Sequence, residues 1–494
     1  MRTNAPRNPL RCAAHCWMLL VLALGSACQS GAAAPPVATI ATAAPTAAPT
    51  AAPTVAPLVE RQPIPNGPVL LGAGITLRNV TDVTAGSIKL AQNPADGDLY
   101  YLTTGDGIYH VAQSQASARP KQIASAAEVG PGASATGMAI GPDGVFYVVA
   151  NQRIGTNQNQ ATIRRGTAGS GGYHWAKVAT TAPYPLSDTP FDHTVNSIVL
   201  SPDGKWLYVN SGSRTDHGEV EDNKGAFPDT REVGLTAKIF RIPSDTKDLM
   251  LPNDDAALTA QGYIFARGTR NAYDMAFAPN GDLFAVDNGP DADYPDELNW
   301  IREGQHYGFP WQFGSQDNPQ QFPTYDSKAD KRLRDDFTAV KIGAYHTDPG
   351  FPKPAAAFSA PVRNLGPAAA LNRADDGSQY DAIAKDAALT TFTPHRSPLG
   401  LVFPTDPSVP AALRGSGDAT GAFVLSWGAA GGTLTDKGQD LLHLLLRKNG
   451  DNYEAVTTQV ARGFSHPIDA VMLANRLYVL ENGENPKLWE LTFT

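Results

Sequence analysis

The sequence predicts an all-β fold, a six-bladed β-propeller of four-stranded antiparallel blades with loop insertions. A polar turn followed by an apolar or aromatic strand recurs along the chain. Glycine (46) and proline (40) are abundant among the 494 residues while only 18% are charged, which favours short strands and turns over long surface helices. All three cysteines (Cys12, Cys16 and Cys28) lie near the N-terminus, so the rest of the chain must be held by its core, with or without metal, rather than by disulfides.

Met1 to Cys28 carries Arg2, Arg7 and Arg11, an apolar run from Trp17 to Leu24, and then Gly25-Ser26-Ala27-Cys28. This is the pattern of a secretory signal, and the apolar run is too short to span a bilayer as a helix. Small residues ending in cysteine mark a lipoprotein cleavage site with Cys28 lipidated, although the usual leucine three places before the cysteine is shifted one place, to Leu24. The expected location is extracytoplasmic, on the cell surface or in the periplasm, with membrane attachment only through this N-terminal lipid. Residues 29–60 are dominated by Ala, Pro and Thr, a low-complexity tether unable to pack a core. Loss of the three leader arginines takes the formal charge from -9 to -12, which argues against nucleic acid as a partner.

The propeller is expected over residues 69–494. Its repeat reads Asn93-Pro94-Ala95-Asp96-Gly97 before Leu99-Tyr100, Gly141-Pro142-Asp143-Gly144 before Val145 to Val148, and Ser201-Pro202-Asp203-Gly204 before Trp206 to Val209. A fourth copy is Ala278-Pro279-Asn280-Gly281 before Leu283-Phe284, and a degenerate one closes the chain at Ala474-Asn475-Arg476. Each copy reads as the central hairpin of a four-stranded unit, and such units stack radially. The turn glycines at 97, 144, 204 and 281 lie 47, 60 and 77 residues apart, so successive blades carry longer insertions. A fifth blade fits on Leu399 to Phe403 and Ala422 to Ser426, and the closing segment makes six.

Between Asp287 and Pro310 the chain is crowded with carboxylates, amides, glycines and prolines. The oxygen donors of Asp287, Asn288, Asp291, Asp293, Asp296 and Glu297, with the carbonyls of Gly289 and Pro290, suit a hard cation such as calcium. The other reading is a solvated surface loop. Asp192-His193 stands before the strand Ser197 to Leu200, where an imidazole can act as general base with an aspartate orienting it. Arg270-Asn271 holds the equivalent place before the next repeat, a cation and an amide fit for a carboxylated or quinoid ligand.

Together these motifs resemble the glucose/sorbosone dehydrogenase family. The resemblance rests on Asp192-His193, Lys238 to Ile242, Arg267-Gly268-Thr269-Arg270-Asn271, and the run N-G-P…D-E-L-N-x-I-x-x-G-x-x-Y-G-F-P ending at Pro310. It extends with gaps from about Gly74 to Phe493. It implies a propeller that uses pyrroloquinoline quinone (PQQ) and calcium to oxidise a sugar, with an unidentified quinone or cytochrome as electron acceptor. It implies His193 as the base with Asp192 orienting it, Arg270 and Asn271 on the cofactor, and the Gly289 and Pro290 carbonyls on calcium. Asp296 and Glu297 either join the calcium shell or pin the loop. His395-Arg396-Ser397-Pro398, Ser426-Trp427-Gly428 and Gly463-Phe464 look more like the sorbosone-type branch.

The glucose-oxidising branch supplies a lysine and an arginine pair late in the chain, where this sequence reads V-L-S-W-G (Val424 to Gly428) and S-H-P-I-D (Ser465 to Asp469). Either His395, Arg396 and His466 take over cofactor binding, or affinity is lost. Each missing charge-assisted bond is worth about 1.5–3 kcal/mol, so two weaken binding by about two to four orders of magnitude. The rivals are therefore a catalytically silent propeller that binds glycans or proteins, and a calcium-dependent hydrolase of the lactonase kind.

Overall fold

A computed structural model describes residues 67–113, 119–354, 357–385, 387, 391–428 and 434–494. The signal segment, Cys28 and the tether lie outside the described residues. Six sheets are arranged as a propeller. Blade I is Ser87–Gln92, Leu99–Thr103, Gly107–Val111 and Lys121–Ser125. Blade II is built on Ser134–Ile140, Phe146–Ile154, Gln158–Gly169 and Gly172–Thr181. Blade III is Val195–Leu200, Trp206–Ser211, Lys238–Pro243 and Ile264–Arg267. Blade IV is Ala272–Phe277, Leu283–Asp287 and Glu297–Ile301. Blade V is built on Pro398–Val402, Ala419–Ser426, Asp440–Asn449 and Asn452–Arg462.

Blade VI closes the ring. Its strands Pro467–Leu473, Arg476–Glu481 and Lys487–Phe493 are completed on the outside by Ile75–Asp82 from the other end of the folded chain. The first strand of each blade touches the first strands of both neighbours, and blade VI returns to blade I. That cycle packs the inner edges against one another around the axis, leaving only short, protected edges. Apolar side chains fill the wedges between blades, such as Phe146 and Tyr100 between blades I and II and Phe284 and Phe403 between blades IV and V. No helix among the described residues is long and apolar enough to cross a membrane.

The repeated turn joins the first and second strands, so it is the inner hairpin of each blade and not the central one. Its glycines are fixed by backbone angle: Gly97, Gly144, Gly204 and Gly281 have φ of 80°, 78°, 73° and 88°, a region costly for residues bearing a Cβ. Open space surrounds Gly97 and Gly281, so angle and not crowding selects glycine there.

A second repeat was hidden from the sequence. The pairing register slips after the first paired residue of the inner strand in five blades, at Ser87/Lys89, Val195/Ser197, Ala272/Asp274, Pro398/Gly400 and Pro467/Asp469, and after the second in blade II, at Ala135/Gly137. A bulge at this point bends the strand and re-aims the residues entering it. The residue just before each bulge is left-handed in four blades, at Gly86, Thr194, Ser397 and His466, with φ of 77°, 53°, 50° and 53°.

Blade IV departs from the expected four strands. After Ile301 the chain turns through Gly304 and Gly308, and His306 pairs as an isolated bridge with Arg267 of blade III. The following insertion makes only the short pair Gln312–Phe313 and Gln316–Asp317, a 3-10 turn at Pro319–Gln321 and the one-turn helix Thr338–Lys341.

Candidate active site

The register places His193, Arg270 and Arg396 at one equivalent position, two residues ahead of the inner strands' first paired residue. Only the first two meet. Arg270 Nη1 lies 3.5 Å from His193 Nε2, and the main chain of Ser213 joins their segments: His193 N donates to the Ser213 carbonyl (3.0 Å) and Ser213 N donates to the Arg270 carbonyl (2.7 Å). Gly212 makes this approach possible, since a Cβ there would sit 2.4 Å from the Cβ of His193.

Arg270 is buried and held on three sides. Its Nε donates to the Asp216 carbonyl and its Nη2 to Asp216 Oδ1, both at 2.7 Å, while Nη1 reaches the Asn288 carbonyl at 3.3 Å. The Asp287 carboxylate accepts the backbone N–H groups of Arg270 (3.0 Å) and Asn271 (2.5 Å), fixing the turn that presents them. Burial pushes the Asp216 carboxyl up, but Arg270 and then His217 outweigh it and hold it well below the usual range. Burial, and then Arg270, depress His193 to about 3, so its imidazole is neutral at neutral pH.

Asn271 belongs to an amide ladder spanning three blades. Asn210 donates to Asn196 (2.9 Å), Asn196 to Asn271 (2.7 Å), Asn271 to Asn288 (3.0 Å), and Asn288 to the Pro398 carbonyl (3.0 Å). One hydrogen of the Asn271 amide stays uncommitted among the described residues.

Asp192 does not orient His193. Its carboxylate accepts Ser187 N (3.0 Å to each oxygen) and Ser187 Oγ (2.8 Å), and burial raises it to about 7. The imidazole's Nδ1 instead faces the Ser213 hydroxyl at 3.2 Å.

The carboxylates of the loop after Asp287 are spent on folding it. Asp296 accepts Gly289 N (2.7 Å) and Ser397 N (2.9 Å), and Glu297 accepts Gly314 N (2.5 Å) and the Asn299 amide (2.8 Å). Both therefore pin the loop, and no group of three or more His, Cys, Asp or Glu side chains among the described residues could hold a metal ion. Burial raises Asp296 and takes Glu297, with Asp287 beside it, to about 8. Asp291 accepts Ala339 N (2.9 Å), and Asp293 bridges Arg373 and His395. The Pro290 carbonyl accepts Ala292 N at 2.8 Å, whereas the Gly289 carbonyl accepts no hydrogen bond among the described residues.

The three late residues do not join His193 and Arg270. His395 Nε2 binds Asp293 Oδ1 at 2.9 Å, and Arg396 is fully buried against Asp436, Ser426 (3.1 Å) and Asp440 (2.5 Å). Arg396 is thus committed to an ion-pair network within blade V. A carboxylate pair across the blade outcompetes the entrance for its guanidinium. His466 stacks on Trp427 with ring centroids 4.0 Å apart and its Nδ1 3.0 Å from the Trp427 carbonyl.

Sequence reasoning missed Ser213, the buried cluster Asp216-His217-Glu219, and an axial group. His217 Nδ1 lies 2.8 Å from Asp216, and its ring stacks on Tyr345 at 3.7 Å. At the axis Lys89 of blade I reaches to blade IV, bonding the Tyr273 carbonyl (3.0 Å) and Asp274 Oδ1 (3.2 Å), with Asp469 of blade VI nearby. A signal existed: Lys89, Asp274 and Asp469 are charges at the third place of otherwise apolar inner strands.

A family model described as Glucose / Sorbosone dehydrogenase matches residues 140–340, the part of the chain that holds His193, Arg270 and Gly289. The resemblance read from the motifs is thus matched by the family model over residues 140–340. Quinoprotein glucose dehydrogenase B of Acinetobacter calcoaceticus is 28% identical over 193 residues, 36% of this chain and 38% of that protein. The chain thus matches well under half the length of that curated relative. Among solved structures, the soluble aldose sugar dehydrogenase of Escherichia coli in its apo-form covers 85% of this chain and 100% of its own, with 14% identity and a TM-score of 0.53. The holo form of the pyranose dehydrogenase PQQ domain from Coprinopsis cinerea covers 85% and 96%, with 12% identity and a TM-score of 0.52. At these identities the structural likeness shows the shared propeller.

Proposed function

We propose that the chain is a PQQ- and calcium-dependent dehydrogenase that oxidises a hydroxyl or hydrated aldehyde of a sugar or related polyol, closer to the sorbosone-type branch. The observation that carries this reading is the convergence of His193 Nε2 and Arg270 Nη1, 3.5 Å apart, beside the Gly289 turn.

The residues present fit the two groups. Gly289 offers a carbonyl with no hydrogen-bond partner among the described residues, Pro290 a carbonyl with one lone pair to spare, and carbonyl oxygens suit calcium. Glycine is required at 289 because a Cβ would come within 2.9 Å of the Pro295 carbonyl and 3.1 Å of the Tyr294 carbonyl. Arg270 and the spare Asn271 hydrogen present donors to an anionic, carbonyl-rich ligand. When bound, the quinone supplies the two-electron acceptor for a hydride. The chain does the rest: His193 Nε2 takes the proton of the substrate hydroxyl, and the Nη1 edge of Arg270 stabilises negative charge developing beside it. Asp216 keeps that guanidinium from swinging, and burial keeps His193 in its proton-accepting form.

The leader and tether support an extracytoplasmic, lipid-anchored protein acting on small-molecule sugars. Withdrawal of Arg396 and His395 onto Asp440 and Asp293 favours the second reading, a silent propeller that binds glycans or proteins. Dye reduction by purified protein with PQQ and calcium across an aldose panel separates the two. Turnover with at least one sugar supports the dehydrogenase, and no turnover with any leaves the binding module.

A further inference from the structure

The hydroxyl of Ser213 has one proton, and it is already placed: Oγ donates to the Thr215 carbonyl at 2.8 Å. Toward His193 Nδ1, 3.2 Å away, Ser213 can therefore offer only a lone pair. Nδ1 must carry the ring proton. The opposite nitrogen gives the same answer independently, because Nε2 faces Arg270 Nη1, and a guanidinium has donors but no acceptor. Both ends of the ring select one tautomer, with the proton on Nδ1 and the lone pair on Nε2.

We infer that Ser213 is a positioning residue that fixes the His193 tautomer, so that Nε2 is the proton acceptor facing the Arg270 guanidinium. The four-residue run Ser213 to Asp216 thus prepares both halves of the site. Ser213 sets the imidazole through its side chain and its backbone carbonyl, and Asp216 sets the guanidinium through its carbonyl and carboxylate. Asp192, the neighbouring carboxylate, is excluded from this role by its three bonds to Ser187. Ser213 itself is fully buried, so water does not compete for the contact. The inference deepens the proposed function, resting on His193 as its base, but the tautomer is measurable whether or not a sugar is oxidised.

The test is long-range proton–nitrogen NMR of the full chain labelled with 15N-histidine, the His193 signals being identified by their loss in His193→Gln. The expected wild-type spectrum shows His193 neutral at pH 7 with Nδ1 protonated and Nε2 bare. A protonated Nε2 in the wild type overturns the inference without any variant. In Ser213→Ala, where Arg270 alone still disfavours a protonated Nε2, the second tautomer is expected to become detectable beside the first, with kcat for the best sugar falling twofold or more and KM nearly unchanged. A Ser213→Ala spectrum identical to wild type also overturns it. A wild-type spectrum with protonated Nδ1, a mixed Ser213→Ala spectrum and no sugar oxidation in the wild type would keep the inference and refute the proposed function instead.

Discussion

Replacing Asp216 by Asn removes the charge that balances Arg270 while keeping the side chain's size. Asp216 is completely buried and its carboxylate takes four contacts: Arg270 Nη2 at 2.7 Å, His217 Nδ1 at 2.8 Å, Asp291 N at 2.9 Å and the Tyr345 hydroxyl at 3.3 Å. Leaving one partner of a buried ion pair uncompensated costs about 3–5 kcal/mol. That is about two to three and a half orders of magnitude in the folding equilibrium at about 1.4 kcal/mol per tenfold. The assay is urea denaturation of the full chain followed by tryptophan fluorescence. The Asp216→Asn/Arg270→Gln double variant should recover at least half of the single variant's loss, because it no longer buries an unpaired cation. The single variant should also lose PQQ affinity, since Arg270 Nη1 is aimed only while Asp216 grips the other side of the guanidinium. An Asp216→Asn protein within about 1 kcal/mol of wild type, or a double variant as damaged as the sum of the two singles, would refute the reasoning.

Lys89→Met is expected to leave the half-buried Asp274 and the buried Asp469 without their cation and to cost about 3–5 kcal/mol, read as a lower thermal midpoint, with part regained in Lys89→Met/Asp274→Asn/Asp469→Asn. Asp192 gives a pH prediction. Burial raises it to about 7, so the folded chain holds a proton that the unfolded chain, with an ordinary value near 4, has released. The stability this adds is complete below about pH 4 and is lost as pH rises toward 7 and beyond. Asp192→Asn should therefore gain on wild type between pH 5 and pH 8, by on the order of 2 kcal/mol, in unfolding curves at the two pH values. Gly212→Ala, by forcing its Cβ onto that of His193, should lower kcat at least tenfold while the far-ultraviolet circular dichroism stays that of the propeller.

What the sequence revealed was what local chemistry determines. A turn such as P-D-G or P-N-G declares itself because glycine adopts the positive φ there at the least cost, and four such glycine turns announced the blades. Arg270-Asn271 and His193 were legible because the same entrance recurs before consecutive inner strands. Direction was not legible. Arg396 stands in the same register as His193 and Arg270, yet its guanidinium turns inward because the half-buried Asp436 and the buried Asp440, some forty residues on, offer it two carboxylates. Asp192 is next to His193 in sequence, but the bend at Thr194 and the donors of Ser187 carry it away. The loop carboxylates looked like metal ligands because composition cannot tell an oxygen that meets a cation from one that caps a backbone N–H. The missing fourth strand of blade IV was hidden in an insertion whose polar, irregular sequence has no period to read.

A dehydrogenase built on this site must hold a quinone between Arg270 and the Gly289 turn. Titration of the purified full chain with PQQ, followed by the cofactor's absorbance with calcium present and after chelation, tests this directly. The predicted result is saturable binding of one PQQ per chain that depends on calcium and is weakened at least a hundredfold in Arg270→Ala. Absence of saturable binding at any calcium concentration, or equal binding by Arg270→Ala, would contradict it.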